Sequence, residues 1–304
     1  EINPIITHIH FTTAIFTSLI LHSKRTNNTL IGTFHGLNSV SSSGFKKFIY
    51  KLIENYCFLK LNKIILINTL DFNSISSFFS LKASLLNSKG LGCDLTLFDR
   101  SNYTSVQIQN IKHKFNIKQE FVLAFIGRFV DFKGFDIAIK CFLKLSNKHE
   151  NKFKLILIGG FDPVHSSGLN YNEKKDFDKN KDIINIGFVS DVYNYLPMVD
   201  LLIFPSKREG LPIVATESLA MSVPVIAFDS RGTNELVFNE FNGILISENS
   251  NKDYEIDCFV NHITNLLQDQ VKLDQLSSNS LLNREQLSRT NFIKNEINMY
   301  NNII

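Results

Sequence analysis

Two hydrophobic rhythms alternate along this chain. Short unbroken apolar runs, the mark of strands buried on both faces, occur at "PIITHIH" (4–10), "TLIGTFH" (29–35), "IILIN" (64–68), "EFVLAFIGR" (120–128), "FKLILIGG" (153–160), "IINIGFV" (183–189), "DLLIF" (200–204) and "VPVIAF" (223–228). Between them lie stretches whose apolar residues fall three and four apart. The clearest is "GFKKFIYKLIENYCFLKLNK" (44–63), apolar at 45, 48, 49, 52, 53, 56 and 59, which predicts a helix with one apolar stripe. Helices are also predicted from the end of the first strand to about Arg25, over 135–145, near 191–197, over 212–221 and through the tail from about 253. The polar stretch 165–181 predicts a weakly defined helix or loop.

Strands that alternate with helices and stay apolar throughout predict an α/β fold with parallel sheets covered on both faces. The strands form two series, before and after a polar connector, "DLTLFDRSNYTSVQIQNIKHKFNIKQ" (94–119). Each series is long enough for a Rossmann-like domain. No internal repeat or low-complexity tract interrupts them. Ligands of such folds bind beyond the carboxyl ends of the strands, so the residues just after each strand are the informative ones.

Composition narrows the picture. The 304 residues are 44% hydrophobic and 20% charged, ordinary for a soluble globular protein with room for two domains. No apolar run approaches the ~18 residues of a membrane span; the best candidate, "AIFTSLIL" (14–21), is too short. No secretory signal precedes it. The chain opens on Glu1, directly before a strand-like run, and reads as starting partway through a larger protein. Cys57, Cys93, Cys141 and Cys258 are scattered and form no C-x-x-C pair, which argues against a zinc or disulfide framework and suits a reducing cytoplasm. The net charge of +3 is unevenly spread. Residues 1–118 hold 13 Lys+Arg and 5 Asp+Glu, while the remainder holds 19 and 24. Such asymmetry predicts different partners for the two halves.

Three strand ends carry candidate chemistry. In "SKREGLPIVATE" (206–217), Pro212 suits the first turn of a helix, so Gly210 and Leu211 offer backbone N–H groups to an anion. Glu217 lies about 7.5 Å farther along that helix at ~1.5 Å per residue, and Glu209 sits on the turn. One carboxylate can take hydroxyls at each end of a ligand whose anionic middle rests on the helix start, the layout of a sugar nucleotide. Two solvated glutamates around an ordinary turn would give the same string. In "IGRFVDFKG" (126–134), Arg128 and Lys133 could neutralise a diphosphate; a solvated basic loop is the plainer alternative. In "IGTFHGLN" (31–38), His35 ends a strand before Gly36, where a lone histidine is more often structural than catalytic.

Together these residues carry a resemblance. "IGRFVDFKG…LILIGG…GFVSDVYNYLPMVDLLIFPSKREGLPIVATESLAMSVPVIAFDSRGTNELV…NGILI", from about Phe121 to Ile246, resembles the donor-binding half of the family 4 (group 1) retaining glycosyltransferases. That family has the GT-B fold, two Rossmann-like domains facing a cleft. "PIITHIH", "GTFHGL" and "GLGCDLTLF" resemble its acceptor half and its interdomain "G-x-G-V-D-x-x-x-F" element. The resemblance implies an acceptor-side unit over 1–118, a nucleotide-sugar unit over 119–288 and a C-terminal helix, 289–304, returning to the first unit. It implies that Gly127, Arg128 and Lys133 meet the donor diphosphate and that Glu209 contacts the transferred sugar. Gly210 and Leu211 would supply backbone donors, Glu217 would hold the ribose, and Gly187 and Phe188 would meet the base. His35 would face the cleft from the acceptor side.

No cofactor and no metal are implied, only a nucleotide-sugar donor, expected to be UDP-linked. Three departures stand out: Ser222 replaces a usual glycine, a change expected to matter little for packing; Cys93 replaces a valine; and the family's first strand and Gly-rich loop are not found before "PIITHIH", so the first domain reads as truncated.

The expected reaction moves a hexose to a glycan or lipid-linked acceptor of a bacterial surface polysaccharide. Lys46, Lys47, Lys51, Lys60 and Lys63 on the 44–63 helix suit an anionic membrane, placing the protein in the cytoplasm at the inner face; for the helix taken alone, a core helix with a wet lysine face is the favoured reading. No nucleic-acid partner is expected. A nicotinamide oxidoreductase would need G-x-G-x-x-G, and the nearest string, "GLGCDL" (90–95), has Leu95 at the third glycine. A sugar-nucleotide epimerase of the same architecture and an inactive donor-binding module remain open.

Overall fold

A computed structural model describes residues 4–21, 28–86 and 89–303. The first series gives β1 (Ile6–His10), α1 (Thr12–Leu21), β2 (Thr29–Phe34), α2 (Gly44–Lys60), β3 (Lys63–Leu66), α3 (Thr69–Ser74) and β4 (Ala83–Leu85). The expected extension of the first helix to about Arg25 falls partly outside the described residues. After the connector helix α4 (Ser105–Lys114) come β5 (Phe121–Phe129), α5 (Phe135–Lys148), β6 (Phe153–Phe161), α6 (Tyr171–Lys179), β7 (Ile183–Gly187), β8 (Leu201–Phe204), α7 (Ile213–Ala220), β9 (Val225–Phe228) and β10 (Gly243–Ile246). The tail is α8 (Lys252–Gln268), α9 (Gln270–Ser280) and α10 (Arg289–Asn301).

Both sheets are parallel throughout. The first has the order β1-β2-β3-β4, the second β10-β9-β8-β5-β6-β7. The second is apolar on both faces. Phe125, Phe129 and Leu157 pack under α5 and α8 against Phe142 and Phe259. Val122, Ala124 and Leu202 pack on the other side against Met198 and Leu219.

The first sheet differs. One face meets α1 and α2 through Phe34, Ile64, Leu66, Ile15 and Phe58. Residues alternate across a strand, so His8 and His10 share the opposite face of β1. There His8 Nδ1 lies 2.6 Å from the Tyr300 hydroxyl of α10. β1 is thus a half-buried edge strand rather than the doubly buried one expected, because its outward face is imidazole.

Several other local expectations change. The apolar stripe on α2 points largely outward: Phe45, Phe48, Ile49, Leu52 and Leu59 are exposed, while Glu54, Cys57 and Phe58 are buried. The helix expected near 191–197 is two single 3₁₀ turns, the second started by Leu196 and Pro197. The polar stretch 165–181 does hold a helix, α6, fixed by a capping box between Asn170 and Glu173. A like box between Thr104 and Gln107 starts α4 within the connector. Ser222 is more than a packing change. It stands at φ 63°, the left-handed region that a glycine enters freely, and its hydroxyl donates to Ser277 O at 2.7 Å.

Two chain segments cross between the lobes and pair there. Cys93 N donates to Leu287 O (2.8 Å) and Arg289 N to Cys93 O (2.9 Å). Gly92, at φ 65°, allows this approach; a Cβ there would lie 2.5 Å from Arg289 N.

Candidate active site

The loop from β8 into α7 builds the centre. Glu209 Oε1 accepts from Lys133 Nζ at 2.7 Å and from Ser206 Oγ at 2.6 Å. Lys133 ends the short turn after β5, and Gly134 seals that turn onto the loop. At φ 74° its Cα lies so close to Pro205 O that a Cβ would sit 2.2 Å from it. Gly127, Lys133, Glu209, Leu211 and Pro212 line one cavity of about 240 Å³. Gly127 leaves open space where a side chain would stand. Among the described residues, the N–H groups of Gly210 and Leu211 donate to nothing. The first-turn N–H groups of α7 lack intrahelical partners. The cavity therefore offers an ammonium, a carboxylate and free backbone donors, which suits a ligand with both phosphate and hydroxyl groups.

The other expected side chains are not part of this lining. Arg128 Nη1 pairs with Asp162 Oδ2 at 2.9 Å, and its guanidinium lies 5.2 Å over the Phe132 ring. Asp162 is held down to about 2, chiefly by the Val164 N–H. Glu217, on α7, is half-buried, and its carboxylate has no hydrogen-bond partner among the described residues. Burial pushes it up to about 7, with Arg289 opposing. Its neighbour Cys93 is pushed up to about 12 by burial and by Glu217 itself. Gly187, at φ 82°, ends the edge strand β7, and the Phe188 ring beyond it is 88% exposed.

His35 faces this loop from the first sheet. Its carbonyl abuts Gly210, where a Cβ would lie 2.2 Å away. Its ring stacks on Phe11 with centroids 4.2 Å apart, and Nε2 lies 3.0 Å from His10 Nδ1. Burial first, then His10, lowers His35 to about 4, so the imidazole is neutral at pH 7.

Arg231 escaped the sequence reading. Its Nε donates to Glu209 O at 3.1 Å, and Nη1 donates to Leu37 O and Asp71 Oδ1, both at 3.0 Å. One side chain thus ties the β8–α7 loop to the segment after His35. Asp71 is fully buried and also accepts from Leu37 N (3.0 Å) and Asn68 Nδ2 (2.8 Å). Glu54, also buried, accepts from Asn38 N at 2.7 Å. The available signal was an arginine just after strand "VIAF", the position where ligands and cleft contacts gather. An Asp-x-Asp string, Asp176 to Asp178, lies on α6, where residues two apart do not share a face.

Comparisons with known proteins agree with this architecture. Residues 107–281 match the family described as glycosyl transferases group 1. The chain is 25% identical over 276 residues to the capsular polysaccharide biosynthesis glycosyltransferase CapM of Staphylococcus aureus, covering 90% of this chain and 70% of that protein. It is 34% identical over 111 residues to the Escherichia coli UDP-Gal:alpha-D-GlcNAc-diphosphoundecaprenol alpha-1,3-galactosyltransferase, covering 36% of this chain and 27% of the relative. Among solved structures, sucrose-phosphate synthase from Thermosynechococcus elongatus matches with a TM-score of 0.77 at 18% identity, over 98% of this chain and 73% of that one. Anabaena HepE in complex with UDP matches at 0.74 and 15%, over 97% and 78%. With the family match spanning more than half of its length and two parallel sheets that superpose on these structures, the chain belongs to the group 1 (family 4) glycosyltransferases and has the GT-B fold.

Proposed function

We propose that this protein is a retaining glycosyltransferase that moves a sugar from a UDP-sugar to a lipid-linked glycan acceptor. The observation that carries the reading is the Lys133–Glu209 pair inside the 240 Å³ cavity beside Gly127 and the start of α7. Lys133 and the free N–H groups of Gly210 and Leu211 meet the charge that grows on the departing diphosphate. Glu209, fixed by Ser206, accepts sugar hydroxyls. Arg128 adds positive charge at the mouth once donor phosphate competes with Asp162. Glu217 holds the ribose and Phe188 offers a face to the base. His35, a neutral imidazole, orients the sugar or the acceptor hydroxyl from the other lobe.

The donor assignment is supported by the name of the E. coli relative and by the UDP complex of HepE. The same relative's name specifies a diphosphoundecaprenol acceptor. No described helix is long and apolar enough to cross a membrane. Yet α2 sets exposed Phe45, Phe48, Ile49 and Leu52 among Lys46, Lys47 and Lys51, which suits docking on the anionic inner leaflet.

Thermal stabilisation by UDP-, GDP- and ADP-sugars tests the donor; a shift with UDP-sugars that vanishes in Lys133→Ala is expected, and no shift with any of them refutes the site. Product analysis with and without a diphosphoprenyl acceptor separates transfer from epimerisation. Co-sedimentation with anionic vesicles, lost in a Phe45→Ser/Phe48→Ser variant, tests the docking face.

A further inference from the structure

Two histidines and a glutamate converge on the face of the first sheet that α1 and α2 leave uncovered. His8 and His10 lie two apart on β1 and stack with ring centroids 4.4 Å apart. One ligand atom each from His8, His10 and Glu296 lies within 4.8 Å of the others, the only such His, Cys, Asp or Glu group among the described residues. Glu296 and Tyr300 are four apart on α10 and so share a side.

The outer contacts of the two imidazoles matter most. His8 Nε2 lies 2.7 Å from Thr33 Oγ1, and His10 Nδ1 lies 3.0 Å from His35 Nε2. When each of these nitrogens carries the proton and donates outward, His8 Nδ1 and His10 Nε2 keep their lone pairs. A histidine that binds a metal has this arrangement, with one N–H tied off and the other nitrogen free to coordinate. On the His8 side the Tyr300 hydroxyl, 2.6 Å from Nδ1, donates to that lone pair, and an ion bound there would displace this hydrogen bond.

We propose that His8, His10 and Glu296 form a site for a divalent transition metal, with zinc the best fit, that pins α10 to β1. Two imidazole nitrogens and one carboxylate oxygen suit Zn²⁺ at about 2.0–2.2 Å, whereas Mg²⁺ and Ca²⁺ favour all-oxygen shells. The ion is structural: it links the beginning of the described chain to its end and fixes His10, which in turn holds His35. No step of sugar transfer passes through it, so the site stands or falls independently of the proposed function.

Chelator-dialysed protein titrated with Co²⁺, then with Zn²⁺, tests it. One Co²⁺ per chain with visible d–d absorption, displaced by one Zn²⁺, is expected, together with a Zn²⁺-dependent rise in melting temperature. His10→Ala and Glu296→Gln should abolish both, and Thr33→Val should weaken Co²⁺ binding about tenfold. Glu296→Gln, on the outer helix, keeps the test informative if His10→Ala does not fold. Absence of saturable Co²⁺ binding, or a Co²⁺ spectrum unchanged in Glu296→Gln, overturns the proposal.

Discussion

The two sheets of this protein solve the same packing problem differently. The second is closed on both faces by apolar clusters, with Phe129 and Phe135 stacked at 4.5 Å within one of them. The first has a single apolar face; its other face carries His8, His10 and Thr33 beneath α10. A doubly apolar sheet gains stability from burial alone and is indifferent to pH. A sheet with a neutral imidazole face depends on those imidazoles staying neutral. Rigidity is thus concentrated around the Lys133–Glu209 cavity, and sensitivity to conditions around the histidine face of the first sheet.

The largest expected effect lies in the rigid lobe. Lys133→Ala or Glu209→Ala should lower transfer by about 10²–10³-fold, as expected for removal of a preorganised charge, with the fold intact by circular dichroism. Phe129→Ala should cost about 3–5 kcal/mol in denaturant unfolding, the range for emptying a tight aromatic site. A loss below 1 kcal/mol would mean that the second sheet is no better packed than the first.

Arg231→Ala should cost about 3 kcal/mol, because it strands the fully buried Asp71 without its cation. It should also loosen the first lobe selectively, seen as faster hydrogen exchange in residues 35–41 than in β5.

Acidification comes next. His8 and His35 titrate near 4 in the folded protein, against 6.5 when unexposed to it. The unfolded chain therefore takes up their protons first, so stability present at neutral pH is lost as pH falls from about 6.5 to about 4. Exchange should rise in β1 and β2 before β5 and β6 across that window. The groups that face these rings are His10, Thr33, Tyr300 and Glu296. The smallest effect concerns Glu217, whose raised value works the other way. Its contribution is present below about 4.5 and is lost as pH rises through 7. Glu217→Gln should thus raise the melting temperature at pH 8 and leave it nearly unchanged at pH 4.

Much of the second lobe was legible because its strands are apolar on both faces and its helices are amphipathic. Lys133 and Glu209 could be named from strand-end position and Gly127 through the family resemblance, and the structure brings all three to one cavity. The three-residue β4 is too short for periodicity to detect. The outward stripe on α2 was invisible for another reason. Spacing shows that apolar residues share a side but says nothing about what that side faces. Arg128 looked like a free cation because its partner, Asp162, lies 34 positions away. Arg231 was hidden for the same reason, its acceptors lying on Leu37 and Asp71. Ser222 shows a third limit: a residue name does not reveal a left-handed backbone.

The pairing of the two crossing segments at Cys93 and Arg289 has a mechanical consequence. Two covalent tethers stitched by main-chain hydrogen bonds behave as one doubled ribbon rather than as independent cords. Such a ribbon resists sliding and shear but can flex across its width. Rotation about one axis is then the expected mode of any movement between the two sheets, and substitution at Gly92, by prying the two plies apart, should blur that axis without touching any residue of the Lys133–Glu209 cavity.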